Sequence, residues 1–226
     1  MKLWQINDLE KILPAVPGIN GQENYFQSAV MILLALFNGE YHFIFEKRCA
    51  KIRQAGEICF PGGKFEAEKD KSFCHTALRE TQEELGLSQE KIDVLGRLNT
   101  VVTPKGVIVE TFLGIAHIEN LDDLTINPEE VAEVFSLPVT LFEKDDPDKY
   151  LLPVTVSPIM KDSSGKENII FPAAELGLGD NYTRPWRGMD YPMYVYRIQE
   201  RVIWGITARI IFDLVQRIKQ LPVEIL

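Results

Sequence analysis

Gly62-Gly63-Lys64, and further on Arg79-Glu80-Thr81-Gln82-Glu83-Glu84-Leu85-Gly86-Leu87, form a glycine pair leading into a segment whose carboxylates recur at helical spacing. Glu80, Glu83 and Glu84 stand at i, i+3 and i+4. At about 100° per residue they fall on one strip of a helix surface, while Cys74, Leu78, Thr81 and Leu85 fall on another that can face a core. Adjacent carboxylates repel, and only Arg79, one turn before Glu83, is placed to pair with one of them within the helix. A divalent cation resolves that repulsion. Oxygen ligands without Cys or His select a hard ion, Mg²⁺ or Mn²⁺, which keeps room for water and substrate phosphate oxygens. The plain alternative is a solvated acidic helix face, and the surrounding residues argue against it.

Those surroundings resemble the signature of the Nudix hydrolase family, a glycine loop followed by a helix carrying Arg-Glu, a spacer, Glu-Glu, one residue, Gly and an aliphatic residue. Gly63, Arg79, Glu80, Glu83, Glu84, Gly86 and Leu87 match it. Thr81 stands where the family usually has an aliphatic residue. The family's loop glutamate has no direct counterpart: the loop is longer here and Lys71 occupies that register, leaving Asp70, Glu68 or Glu66 as substitutes. Upstream, Arg48-Cys49-Ala50-Lys51-Ile52-Arg53-Gln54-Ala55-Gly56-Glu57-Ile58-Cys59-Phe60-Pro61-Gly62-Gly63 resembles the extended motif of the coenzyme A diphosphatases within the family, with Cys49 in place of a serine. With Glu133-Val134-Phe135-Ser136-Leu137-Pro138 and Ile203-Trp204-Gly205-Ile206-Thr207-Ala208, the resemblance extends over residues 28–220.

The resemblance implies a metal-dependent diphosphatase, with coenzyme A or its thioesters cut to 3′,5′-ADP and 4′-phosphopantetheine. Glu80, Glu83, Glu84 and the Gly63 carbonyl would hold Mg²⁺ or Mn²⁺, which neutralises the diphosphate and acidifies water. Arg79 would orient a glutamate. The general base would be one of these carboxylates or a loop acid, and Glu130, just before Val131-Ala132-Glu133-Val134-Phe135, is the candidate that the sequence offers. Arg48, Lys51, Arg53 and Lys64 would meet the substrate phosphates, arginine with a fork that donates two hydrogen bonds to one phosphate. The same metal helix would equally serve a diphosphatase for ADP-ribose, NADH or a dinucleoside polyphosphate. A third reading, from another class, is a nucleotide-sensing domain without catalysis.

Composition sets the frame. The chain has 226 residues, 46% hydrophobic and 25% charged, the profile of a globular domain. A net charge of −9 argues against nucleic acid or an anionic membrane as partner. A small nucleoside diphosphate derivative therefore needs local cations. The three cysteines show neither disulfide nor zinc spacing, and spare thiols are expected. No signal peptide pattern opens the chain and no apolar run approaches the roughly 20 residues of a membrane span, so a cytoplasmic location is expected.

The local pattern predicts a polar leader over 1–24 and one Nudix domain over 25–226. Strands are expected at 26–37 and 41–46, joined by the Asn38-Gly39 turn signal. Further strands are expected at 57–60, 94–98, 107–118, 150–157 and 193–197, with helices at 72–85, 138–143 and 205–219. This order suits an α/β fold, an αβα sandwich around a mixed sheet. Residues 161–192 read as one extended loop bearing Phe171, Tyr182, Trp186 and Tyr191, expected to pack over the core or at the contact of a homodimer, with a lid or an adenine-stacking surface as the functional alternative.

Overall fold

Asn38 and Gly39 both adopt positive φ, 52° and 84°, the backbone that a two-residue hairpin turn demands. They join β1 (Phe26–Phe37) to β2 (Glu40–Arg48) in antiparallel register, Phe37 opposite Glu40 and Leu33 opposite Ile44. The structure, a computed structural model, describes residues 11, 13–14, 18–51 and 54–222. Most of the expected leader lies outside the described residues, and Gln22–Asn24 forms a single 3-10 turn.

Beyond this hairpin follow β3 (Ile58–Cys59), β4 (Gly62–Lys64), α1 (Phe73–Leu85), β5 (Ile92–Arg97), β6 (Val101–Thr103), β7 (Val107–Ala116) and β8 (Val131–Pro138). Then come α2 (Val139–Lys144), β9 (Asp148–Val156), β10 (Ile159–Lys161), β11 (Glu167–Ile169), β12 (Trp186–Ile198), β13 (Arg201–Trp204) and α3 (Gly205–Ile218). Among the described residues, β1 to β8 make one mixed sheet in which β1 runs parallel to β7 and the other pairings are antiparallel.

The apolar run in β1 is nearly continuous because the sheet is covered on both faces. Ala29, Met31, Leu33 and Ala35 join Ala77 and Leu85 of α1 in one core. Val30, Ile32 and Leu34 point to the opposite core, with Phe142 of α2 and Ile210, Ile211, Leu214 and Val215 of α3. Each fully buried Leu or Ile contributes roughly 1.5–3 kcal/mol relative to exposure. The αβα sandwich with a mixed sheet is therefore present. Among the described residues no helix is long and apolar enough to cross a membrane.

β1 and β2 pair only near their turn, and the 58–64 segment fills the fork where they diverge. Cys59 pairs with Glu46 of β2, and Gly62 and Gly63 pair with Val30 and Ala29 of β1. Between them Phe60 is buried and stacks on Phe45 at 4.9 Å, and the Pro61 carbonyl accepts from the Met31 N–H at 2.9 Å. Thr207, at the start of α3, donates to the Ile58 carbonyl at 3.1 Å. The wedge is thus held from the sheet and from the last helix.

Three expectations need correction. Residues 131–138 form a full strand on the free edge of β2, Phe45 opposite Phe135; burial there alternates imperfectly, which hid the strand. Pro138 is the N-cap of α2 rather than a member of its first turn. The 161–192 stretch is not one loop. It contains β11 and the first half of β12, which pairs with β9 from Trp186 opposite Val156 to Val195 opposite Asp148. Phe171 and Tyr182 are exposed, as are Leu151, Met160, Ile169 and Met189 around them, whereas Trp186 and Tyr191 are half-buried and the Arg209 guanidinium of α3 lies 5.6 Å from the Tyr191 ring. Turn-forming residues at both ends of the stretch masked these strands, β11 pairing with β10 and β12 with β9 and β13.

Candidate functional site

The α1 helix begins where the Ser72 hydroxyl accepts from the His75 N–H at 3.2 Å, and ends where Gly86, at φ 66°, donates its N–H to the Gln82 carbonyl. This is the N-cap and left-handed C-cap pair expected of these residues. Thr81 is buried, and its hydroxyl donates to the Ala77 carbonyl at 2.7 Å. A polar residue thereby fits an apolar position, since its only donor is satisfied within the helix.

The three helix carboxylates sit at different depths. Glu83 is outermost, its side chain 53% exposed, and accepts from Arg79 Nη1 at 3.0 Å. Glu80 is partly covered and meets Arg79 Nη2 at 2.9 Å. Glu84 is buried and accepts from the Gly62 N–H at 2.8 Å. The close pass of the wedge explains both glycines. A Cβ on Gly63 would lie 2.3 Å from the Glu80 carboxyl carbon, and one on Gly62 would lie 2.3 Å from the Ala29 carbonyl oxygen.

Arg79 is the cation shared by the outer acids, and Asp70 is its anchor. Asp70 Oδ1 accepts from Arg79 Nε at 2.9 Å and Oδ2 from Nη2 at 3.0 Å, the planar fork against a carboxylate. Thr76 Oγ1 and the Glu66 N–H, each at 3.0 Å, complete the cradle, and His75 Nδ1 lies 3.2 Å away. Arg79 above all holds the Asp70 carboxyl far below its ordinary range. Of the three acids expected to replace the family's loop glutamate, Asp70 is therefore committed to positioning Arg79. Glu68 is exposed, and Glu66 pairs with Lys69 at 3.0 Å.

Deeper in the site the balance is reversed. Glu46, at the end of β2, follows Ile44 on the α1 side of the sheet and is 1% exposed. Its Oε1 accepts from the Cys59 thiol at 3.2 Å, and its Oε2 has no hydrogen-bond partner. Burial raises the pKa of Glu84 strongly, and the neighbouring charge of Glu46 adds to it. Burial likewise raises Glu46, and the charge of Glu130 works in the same direction. Glu80 is raised by burial, with Glu83 and Glu130 adding to the effect. Burial also pushes the Cys59 thiol well up, so sulfur stays protonated as a donor.

Arg48 is the cation nearest this inner group. Burial works against its charge, but the hydrogen bond to Cys59 and the carboxylates of Glu84 and Glu46 outweigh it and raise its pKa. Expected at the substrate phosphates, Arg48 is turned instead toward the acids. Lys51 and Lys64 are exposed at the rim, and Arg53 lies outside the described residues. Cys49 is buried and donates from sulfur to the Glu129 carbonyl at 2.7 Å, while its N–H donates to the Glu130 carbonyl at 2.8 Å. The thiol here does what a hydroxyl would, and it pins the strand end beside Glu130. All three cysteines are free.

Among the described residues no three acid, His or Cys side chains already converge on one point. The donor set nevertheless suits a hard divalent cation: carboxylates at Glu80, Glu84, Glu46 and Glu130, an orphaned buried oxygen, and raised carboxyl pKa values that a cation would reverse. A cleft of about 410 Å³ lined by Asn99, Thr100, Thr111, Arg209 and Asp213 lies on the α3 side of the sheet and includes none of these groups.

The sequence model of the NUDIX domain matches residues 26–153, a span that takes in the wedge, α1 and β8. The chain belongs to the Nudix family. It is 28% identical to an uncharacterised Nudix hydrolase, NudL, of Photorhabdus laumondii over 95% of this chain and 96% of that protein. It is 37% identical to the mitochondrial coenzyme A diphosphatase NUDT8 of Homo sapiens over 50% of this chain and 48% of that protein. The chain thus spans about half the length of that curated relative. A MutT/nudix family protein of Enterococcus faecalis has the same fold, with a TM-score of 0.50 over 99% of this chain and 72% of that one, at 14% identity. The chain is a Nudix diphosphatase by its domain and its hydrolase relatives, and the family generally uses divalent metal ions.

Glu46 and Asp70 are the residues that sequence reasoning missed in their roles. The signal for Glu46 was a charge at an inward position of an otherwise apolar strand, Phe43-Ile44-Phe45-Glu46.

Proposed function

We propose that this Nudix enzyme hydrolyses the diphosphate of coenzyme A or its thioesters, with Mg²⁺ or Mn²⁺ held by Glu80, Glu83, Glu84 and the Gly63 carbonyl. The observation that carries the reading is the buried Glu84 meeting Glu46 beside the glycine wedge, two carboxyls that burial holds toward their protonated forms and that a cation would let ionise. When bound, a divalent cation supplies neutralisation of the diphosphate and a more acidic water. Arg79, anchored by Asp70, orients Glu80 and Glu83. Glu130, whose charge is felt by Glu80 and Glu46, takes the proton of the attacking water. Water oxygen bonds to one phosphorus as the bridging P–O bond breaks, giving 3′,5′-ADP and 4′-phosphopantetheine. Lys51 and Lys64, exposed to solvent, attract the substrate phosphates, and Arg48 offsets part of the charge of Glu46 and Glu84.

The choice of coenzyme A rests on the Arg48–Gly63 motif and on the relative named as a coenzyme A diphosphatase, aligned over half of this chain. The exposed apolar side chains of the β9–β12 arm support a homodimer in which they are covered. A panel of coenzyme A, ADP-ribose, NADH and dinucleoside polyphosphates with each metal, read by product identity, tests the substrate. Efficient cleavage of another member with coenzyme A intact refutes it.

A further inference from the structure

We propose that Glu46, contributed by strand β2 and outside the helix motif, is a further ligand of the divalent-cation site, offering its unpartnered Oε2 beside Glu84. The inference rests on the metal-dependent reading above and extends the donor set from the helix to the sheet.

Three observations carry it. The side chain is almost wholly buried, and a buried carboxylate oxygen without a partner costs folding free energy unless something binds there. Its other oxygen is held by the Cys59 thiol at 3.2 Å, so the carboxylate is fixed in orientation and not free to turn toward solvent. Cys59 and Gly62 belong to the same wedge, and Gly62 holds Glu84 Oε2 through its N–H at 2.8 Å. One rigid segment therefore sets both carboxylates. Oε1 of Glu46 and Oε2 of Glu84 are taken by protein donors, and the two carboxyls lie within hydrogen-bonding reach of each other, so the place where they share a proton is where a divalent cation would sit.

The surroundings of Glu46 limit the alternatives. Arg48 and Cys59 are the donors beside it, Glu130 is the acid whose charge presses on it, and the Glu84 carboxyl meets it through a shared hydrogen bond. A structural ion pair with Arg48 would be expected to occupy Oε2, which is instead unpartnered. A hard cation accepts several carboxylates at once where a guanidinium meets them in one plane.

The test is Mn²⁺ binding to the full chain, measured by titration calorimetry and by electron paramagnetic resonance of the free ion. Glu46→Gln keeps the shape and the Cys59 contact, and is expected to weaken Mn²⁺ at least about tenfold and to shrink the Mn²⁺-induced rise in Tm. Glu84→Gln serves as the reference. Loss in Glu84→Gln with wild-type affinity in Glu46→Gln overturns the role of Glu46 and leaves the helix site standing. Wild-type affinity in both variants overturns the metal reading itself. Should Glu46→Gln lack a cooperative melt, Glu46→Asp carries the test, because it keeps the charge and withdraws it by one methylene. The same loss is expected there, and wild-type affinity overturns the proposal.

Discussion

Replacing Asp70 by Asn removes the anchor of Arg79 with almost no change in volume. Asp70 is fully buried at its side chain and Arg79 is 12% exposed. Two Arg79 hydrogen bonds, at 2.9 and 3.0 Å, end on the carboxylate. The amide presents an NH₂ to one of those donors and carries no charge. Breaking a buried pair by removing one partner costs about 3–5 kcal/mol. The lower end applies, because Arg79 keeps Glu80 and Glu83. At about 2–4 °C per kcal/mol for a chain of this size, Tm should fall by roughly 6–12 °C.

The pH dependence has a definite sign. Arg79 depresses the folded pKa of Asp70, so its contribution is complete above the unfolded value near 3.9 and is lost as pH falls toward the folded value. Thermal melts of both proteins at pH 7 and pH 3 should show a gap that narrows in acid. A fall in Tm under about 2 °C at pH 7, or a gap as wide at pH 3, refutes the reasoning.

Glu83→Gln and Glu84→Gln should each fold and lose most diphosphatase activity in a product assay. Glu84→Gln in chelator should melt higher than the parent at pH 7, since Gln still accepts from Gly62 and removes a carboxyl that burial forces to take up a proton on folding. Gly63→Ala should retain the fold and lose activity, because the new methyl group displaces the Glu80 carboxylate; unchanged kcat would contradict this close approach. Arg48→Ala should lower kcat/KM more than tenfold and reduce Tm without metal, by leaving Glu46 and Glu84 unbalanced. Lys51→Ala and Lys64→Ala, at the solvated rim, should raise KM for coenzyme A by no more than about fivefold, the equivalent of an exposed ion pair of up to about 1 kcal/mol. Steady-state kinetics and melts separate the two classes.

Local chemistry made much of the molecule readable from sequence alone. The Asn38-Gly39 hairpin, the continuous apolar β1, the caps at Ser72 and Gly86 and the spacing of Glu80, Glu83 and Glu84 each depend on neighbours within a turn or two. The family followed from the same short-range pattern. Tertiary structure decided what depends on partners far along the chain. Strand β8 exists because the edge of β2 is free to pair with it, and β12 because β9 lies beside it. Asp70 serves Arg79 because the loop folds back over α1. Arg48 turns inward because the wedge sets Cys59 beside it, with Glu46 and Glu84 close by. Glu46 enters the site because strand alternation aims it at α1 and burial strips it of water. Sequence spacing carries the direction of a side chain along one element; which charge it meets, and how much water remains around it, is set when elements distant in sequence pack together.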